Sequence, residues 1–112
     1  MSDSLFTKII KGDRPSTKVY ESEKILVIKD INPAAPVHLL IITKKPYKNL
    51  QDMPVKDLPL LTEIFEVAQK LAAKFEIADN YRILTNNGAK AGQLIFHLHF
   101  HLIGGKELIH MV

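Results

Sequence analysis

The 112-residue chain is predicted to fold as an α+β domain, a mainly antiparallel five-stranded sheet with one long and one short helix. Three observations lead there. Apolar residues between positions 57 and 75 recur at three- and four-residue steps, the spacing of a helix with one buried face. Apolar and other residues alternate from 94 to 103, the spacing of a strand. Shorter apolar runs separated by brief links complete the order α-β-β-β-α-β-β, and such links favour antiparallel neighbours. Repeats, low-complexity tracts and linkers are absent, so residues 4–112 read as a single domain.

Ser4 is placed to cap a short helix over Leu5–Lys11, with Leu5, Phe6, Ile9 and Ile10 as its stripe and Gly12 ending it. Strands follow at Lys18–Glu21 and Ile25–Lys29 around the polar turn Ser22–Lys24. The segment Asp30–Pro36 carries two prolines, which exclude a helix interior or central strand. Val37–Thr43, containing His38, is a strongly apolar strand, and Lys44–Lys48 with Pro46 a basic loop. The long helix begins near Asp57 as N-cap, with Pro59 in its first turn. Leu61, Ile64, Phe65, Ala68, Leu71, Ala72 and Phe75 form its apolar face, and Glu63, Glu66 and Lys70 its solvent side. A strand at Tyr81–Asn86, a turn at Asn87-Gly88 and the longest strand, Leu94–Ile103, close the chain.

Fifteen Lys+Arg against twelve Asp+Glu leave a net charge of +3, too little to indicate nucleic acid as a partner. The absence of cysteine excludes disulfides, thiolate catalysis, Cys-based zinc sites and iron–sulfur clusters. No run approaches the roughly 18 apolar residues of a membrane span, and the acidic start does not resemble a signal peptide. A cytoplasmic protein without membrane association is expected.

The chemistry concentrates at His97, His99 and His101. In a strand over 94–103, Leu94, Phe96, Leu98, Phe100 and Leu102 take the core face, leaving Gln93, Ile95 and the three histidines on the other. Adjacent imidazoles lower one another's pKa, so the row favours at least one neutral ring near pH 7, which can act as a nucleophile or a ligand. Three readings compete: a solvated strand face, a zinc site with His38 as a further ligand, and covalent phosphoryl or nucleotidyl transfer by one histidine. Spacing alone does not choose between the last two.

The run His97-Leu-His99-Phe-His101-Leu-Ile103 resembles the His-φ-His-φ-His-φ-φ signature of the histidine triad superfamily, φ being apolar. Gly92-Gln93 before it and Gly104-Gly105 after it are similar to the Hint (histidine triad nucleotide-binding) branch. The likeness extends through Asn86-Asn87-Gly88, the segment from Asp30 to His38 and the strand beyond it, and Leu5-Phe6-Thr-Lys-Ile9-Ile10. It implies a purine nucleoside phosphoramidase acting through a nucleotidyl-histidine and releasing a monophosphate such as AMP. His99 is implied as nucleophile and His101 as the group beside the scissile phosphate, with His97 and His38 in support. Asp30 is implied to take the ribose hydroxyls, and Phe6, Ile9, Ile28, Ile31 and Leu40 to line the base pocket. Asn86, Gly92, Gln93 and Leu94 fall near the phosphate. No metal or other cofactor is implied, and a homodimer with a sheet continuous across the interface is.

Alternatives are a dinucleoside polyphosphate hydrolase of the same superfamily, or a nucleotide-binding regulatory module with incidental turnover. The chain departs from many Hint proteins at three places. Leu94 replaces a Ser, and core-facing parity would leave only its backbone N–H for phosphate. Pro46 replaces a histidine, and the ending Lys106–Val112 lacks a Trp-Pro tail. His110, in that ending, reads as a surface residue.

Overall fold

Ile25–Ile28 and Leu39–Ile42 are apolar at every position, a pattern stable in a strand only when both of its faces are covered. The computed structural model, which describes residues 3–109, covers them on both sides. Its elements are α1 (Leu5–Ile10), β1 (Lys18–Glu21), β2 (Ile25–Lys29), β3 (Val37–Thr43), α2 (Pro59–Lys74), β4 (Tyr81–Leu84) and β5 (His99–Gly104). Short 3-10 turns at Leu50–Asp52, Val55–Asp57 and Ala89–Ala91 interrupt the connections. The five strands form one sheet in the order β1-β2-β3-β5-β4, every neighbouring pair antiparallel.

Helix α2 covers one face. Ile64, Val67, Ala68, Leu71 and Ala72 pack with Ile25, Val27, Leu39, Ile41, Leu98, Phe100 and Leu102. Helix α1 covers part of the other, where Phe6 and Ile9 meet Leu26, Ile28, Leu40 and Ile42. Because α1 spans only six residues, it does not extend over the whole face. The pairings His38↔Ile103, Leu40↔His101 and Ile42↔His99 set His38, His99 and His101 on that second face.

Several boundaries differ from the sequence expectation. Helix α2 starts at Pro59 after Leu58, not from an Asp57 cap. Asp57 sits in the preceding 3-10 turn, where its carboxylate accepts from the Tyr47 hydroxyl at 2.7 Å and from Lys45 Nζ at 3.3 Å. The buried stripe of α2 includes Val67, while Phe65 is 45% exposed and stands edge-on to Phe100. β4 ends at Leu84 rather than Asn86, where the Thr85 hydroxyl donates to the His99 carbonyl at 2.6 Å.

β5 begins at His99 rather than at residue 94, where the sequence pattern places its start. Its partner β3 ends at Thr43, so residues 94–98 have no ladder to join. They are held individually instead, by His97 N–H to Ile95 O and Leu98 N–H to Tyr47 O. The alternation therefore fails there, with Leu94 at 89% exposure and Phe96 at 49%, both expected in the core.

Gly104 at the end of β5 lies against the loop after α2. A Cβ there would come within 2.8 Å of Ile77 Cδ1 and 3.2 Å of the Asn80 carbonyl oxygen, which is backbone and cannot swing away. Gly104→Ala is expected to destabilise the fold by about 1–3 kcal/mol, the cost of overpacking. Urea denaturation checks it, and an unchanged midpoint would show that the loop yields freely.

Candidate active site

A neutral imidazole carries one N–H and one lone pair, so a partner whose role is known settles which nitrogen holds the proton. Carbonyl oxygens only accept and backbone N–H groups only donate, and between them they determine all four rings.

His97, at the approach to β5, is wholly buried. Its Nε2 lies 2.7 Å from the Thr43 carbonyl oxygen and must therefore donate. That leaves a lone pair on Nδ1, which faces the hydroxyls of Ser4 at 2.8 Å and Thr7 at 3.3 Å. His99, the first residue of β5, has Nδ1 2.7 Å from the His97 carbonyl oxygen, so Nδ1 donates and Nε2 carries the lone pair. On β3, His38 accepts the Ala34 N–H at Nδ1, 2.9 Å away, so its proton is on Nε2. That Nε2–H donates to His101 Nδ1 at 2.9 Å, which puts the proton of His101 on Nε2.

His99 and His101 thus form a complementary pair. His99 offers a lone pair at Nε2 and His101 an N–H at Nε2, with the ring centroids 5.1 Å apart. The Phe6 ring stands edge-on to His99 at 4.8 Å and to His97 at 5.9 Å, fixing both from the α1 side. Burial pushes the pKa of His97 and His99 down, although the Thr43 and His97 carbonyls they donate to work the other way. Burial, reinforced by the neighbouring His99 and His38, pushes His101 down to about 4. These rings are therefore neutral near pH 7, in agreement with their hydrogen bonds.

Asp30, just after β2, accepts the Asn32 N–H at 2.8 Å through Oδ1, closing an Asx turn. Its Oδ2 lies 3.4 Å from His38 Nε2. One ligand atom from each of Asp30, His38 and His101 falls within 4.8 Å of the others, a spacing from which a metal ion could be held. The 2.9 Å between His38 Nε2 and His101 Nδ1 is a hydrogen-bond length, whereas two nitrogens on a tetrahedral zinc stand roughly 3.4 Å apart. A metal using those two atoms would have to displace that bond.

The other expected residues divide into two groups. Phe6, Ile9, Ile28 and Leu40 come together in the cluster beneath α1 and are buried there, so packing alone accounts for them, while Ile31 is 88% exposed beside Asp30. Asn86 lies against Gly92, where an added Cβ would be 3.7 Å from its side-chain amide. The Gln93 amide is engaged at both ends by the protein: Oε1 accepts from Gly88 N–H at 2.8 Å, and Nε2 donates to Lys48 O at 2.7 Å and Ile95 O at 3.1 Å. Its backbone N–H bonds Gly88 O. Leu94 points to solvent, and His110 lies outside the described residues. Ser4, expected only as a helix cap, and Thr43 and Thr85, not singled out by sequence, all contact the histidines or their backbone.

Two grooves lie away from this cluster. One of about 940 Å³ is bordered by Ile77, Asp79, Tyr81, Arg82 and Leu108, and one of about 310 Å³ by Lys24, Lys44, Tyr47 and Lys56; neither includes any of the four histidines. Among the described residues, no helix is long and apolar enough to cross a membrane.

Residues 11–108 match the HIT domain family. A HIT-like protein of Chlamydia pneumoniae is 50% identical over 105 residues, covering 94% of this chain and 96% of its own length. Among solved structures, a HIT family hydrolase from Clostridium thermocellum superposes with a TM-score of 0.94 at 44% identity, covering 100% of this chain and 98% of that one. A histidine triad nucleotide-binding protein from Candida albicans gives 0.81 at 32% identity, covering 98% and 86%.

Depressed histidine pKa values make stability depend on pH in a definite direction. Between about 4 and 6.5 the unfolded chain binds protons that His101 in the fold does not, so stability is full above 6.5 and falls as pH drops through that window. The urea midpoint is expected to decrease from pH 7 to about pH 5 and to decrease less in His101→Gln. An equal decrease in both proteins would assign the effect elsewhere.

Proposed function

Because the chain belongs to the HIT domain family, we propose that it is a Hint-like purine nucleoside phosphoramidase, a hydrolase that forms a nucleotidyl-histidine at His99. The observation that carries this reading is the lone pair on His99 Nε2, which meets no donor among the described residues, in a ring held at its other nitrogen by the His97 carbonyl. An imidazole nucleophile needs that tautomer, and a positioned acceptor at Nδ1 stabilises the cation that attack creates.

In the first step His99 Nε2 bonds to the α-phosphorus as the phosphorus–nitrogen bond to the leaving amine breaks. The amine departs with the bonding pair and one proton drawn from solvent. The positive charge on the nucleotidyl-imidazolium is met by the Nδ1–H bond to the His97 carbonyl. In the second step water attacks phosphorus, the bond to Nε2 breaks, its electron pair returns to the ring, and the proton of the water is released. Substrate and water thus become nucleoside monophosphate and amine. His101, neutral with its proton on Nε2, serves as a hydrogen-bond donor to a phosphoryl oxygen or the leaving atom. His38 holds that tautomer in place, and Asp30 lies beside it with Oδ2 facing the pair, available to a ribose hydroxyl.

The same reading carries a purine monophosphate as ligand, its base beside Ile31 and the α1 cluster, and the exposed Leu94 loop near its phosphate. It also carries the homodimer expected from the resemblance, for which the support is that β4 stands at one edge of the sheet among the described residues.

Adenosine 5′-phosphoramidate is expected to release AMP in the presence of a chelator, with no release from His99→Ala. Acid-free quenching followed by mass spectrometry should show the nucleotidyl adduct on native protein only. Nucleotide binding without release would favour a binding module, and release restored only by zinc would favour metal chemistry at Asp30, His38 and His101. Asp30→Asn, which keeps an acceptor for the Asx turn but removes the charge, is expected to weaken AMP binding by about 1.5–3 kcal/mol. Calorimetry in the His99→Ala background checks this without turnover.

A further inference from the structure

We propose that Ser4, the N-cap of α1, is a positioning residue for His99: together with Thr7 it provides the hydroxyl hydrogen bond that His97 Nδ1 accepts and so holds the carbonyl on which His99 Nδ1–H rests. The proposal rests on the reading of His99 as nucleophile.

The Thr43 carbonyl obliges His97 to keep its proton on Nε2, so the buried Nδ1 needs a donor. Among the described residues, the groups that meet it are the Ser4 hydroxyl at 2.8 Å and the Thr7 hydroxyl at 3.3 Å. These two hydroxyls are also 3.1 Å from each other, and Ser4 Oγ accepts the Thr7 N–H at 3.0 Å, so helix cap and proton donor are one atom.

His97 lies before the first ladder residue of β5, and no strand partner orients its carbonyl. The peptide between His97 and Leu98 is fixed on one side by Leu98 N–H to Tyr47 O. The other hold is the His97 ring, clamped at both nitrogens between α1 and β3. Loosening the α1 end of that clamp frees the acceptor that sets the tautomer of His99.

The residue type at position 4 discriminates between the two roles. Asp caps a helix as well as Ser, and Gly costs only a few tenths of the capping energy, so the helix alone does not require a hydroxyl. A carboxylate or a missing side chain cannot donate to Nδ1, whereas Thr can. Ser4 also lies upstream of residue 11, where the match to the HIT domain begins.

The test compares Ser4→Asp, Ser4→Gly and Ser4→Thr with native protein. Imidazole 15N spectra without substrate should show the His97 Nδ1 resonance displaced in the Asp and Gly variants. The Nδ1–H form of His99 should lose population in the same two proteins, with thermal midpoints near native. AMP release from adenosine 5′-phosphoramidate should show kcat reduced about tenfold in Ser4→Asp and somewhat less in Ser4→Gly, where Thr7 remains, with KM within about twofold. Ser4→Thr should match native protein in every measurement. Native 15N spectra in both Asp and Gly variants would overturn the proposal, as would a Ser4→Thr variant as impaired as Ser4→Asp. If native protein released no AMP, the phosphoramidase reading would fall, while the spectra would still decide whether Ser4 sets the state of His97 and His99.

Discussion

A buried neutral imidazole must spend its one proton and its one lone pair inside the protein, and His97 spends both on elements far apart in sequence. Its N–H goes to the end of β3 at Thr43 and its lone pair to the start of α1 at Ser4 and Thr7. That double engagement ties α1 to the sheet at the point where the paired strands separate. It occupies the Thr43 carbonyl where the ladder stops, and its own carbonyl, released from any ladder, serves His99. The third histidine depends on the opposite arm, where the Ala34 N–H dictates the proton position first of His38 and then of His101. Three backbone groups, the Thr43 and His97 carbonyls and the Ala34 N–H, thus determine where the protons of the whole cluster lie.

Such a cluster is preorganised without charge. Burial that disfavours protonation would be a liability for an ion-pairing site, but it suits a nitrogen nucleophile, which is useful only when unprotonated. An anion brought to this face would meet the His101 Nε2–H in a poorly solvated setting, where a hydrogen bond is electrostatically stronger than in water. Asp30 adds a carboxylate to the same surroundings, yet its Asx turn and the His38 ring hold it to one side of the pair.

The order of elements and most of their bounds were legible from hydrophobic periodicity, because β2 and β3 are apolar throughout and α2 repeats at helical spacing. The four histidines and Asp30 were also legible as candidates, and the structure brings them together. What periodicity could not show is where a strand loses its partner. The alternation over 94–98 is as regular as over 99–103, but only the second half faces β3, and Leu94 and Phe96 turn outward for that reason. Gln93 illustrates a similar limit, since nothing local reveals that its amide braces three backbone groups of neighbouring loops. Ser4 shows the limit most plainly: a capping serine is readable from its neighbours, but its contact with a ring 93 positions away leaves no local mark.

The span of those contacts bears on when the cluster can exist at all. The β1–β2–β3 meander closes through short turns, whereas Ser4 to His97 and His38 to His101 join positions 93 and 63 apart. Long closures cost more chain entropy and form later than local ones. During synthesis the first three strands can pair while the triad is still unmade, and β5 must then enter between β3 and β4 to complete the sheet. A partly made or partly folded chain therefore lacks the oriented histidine cluster, which is complete only once β5 is in place.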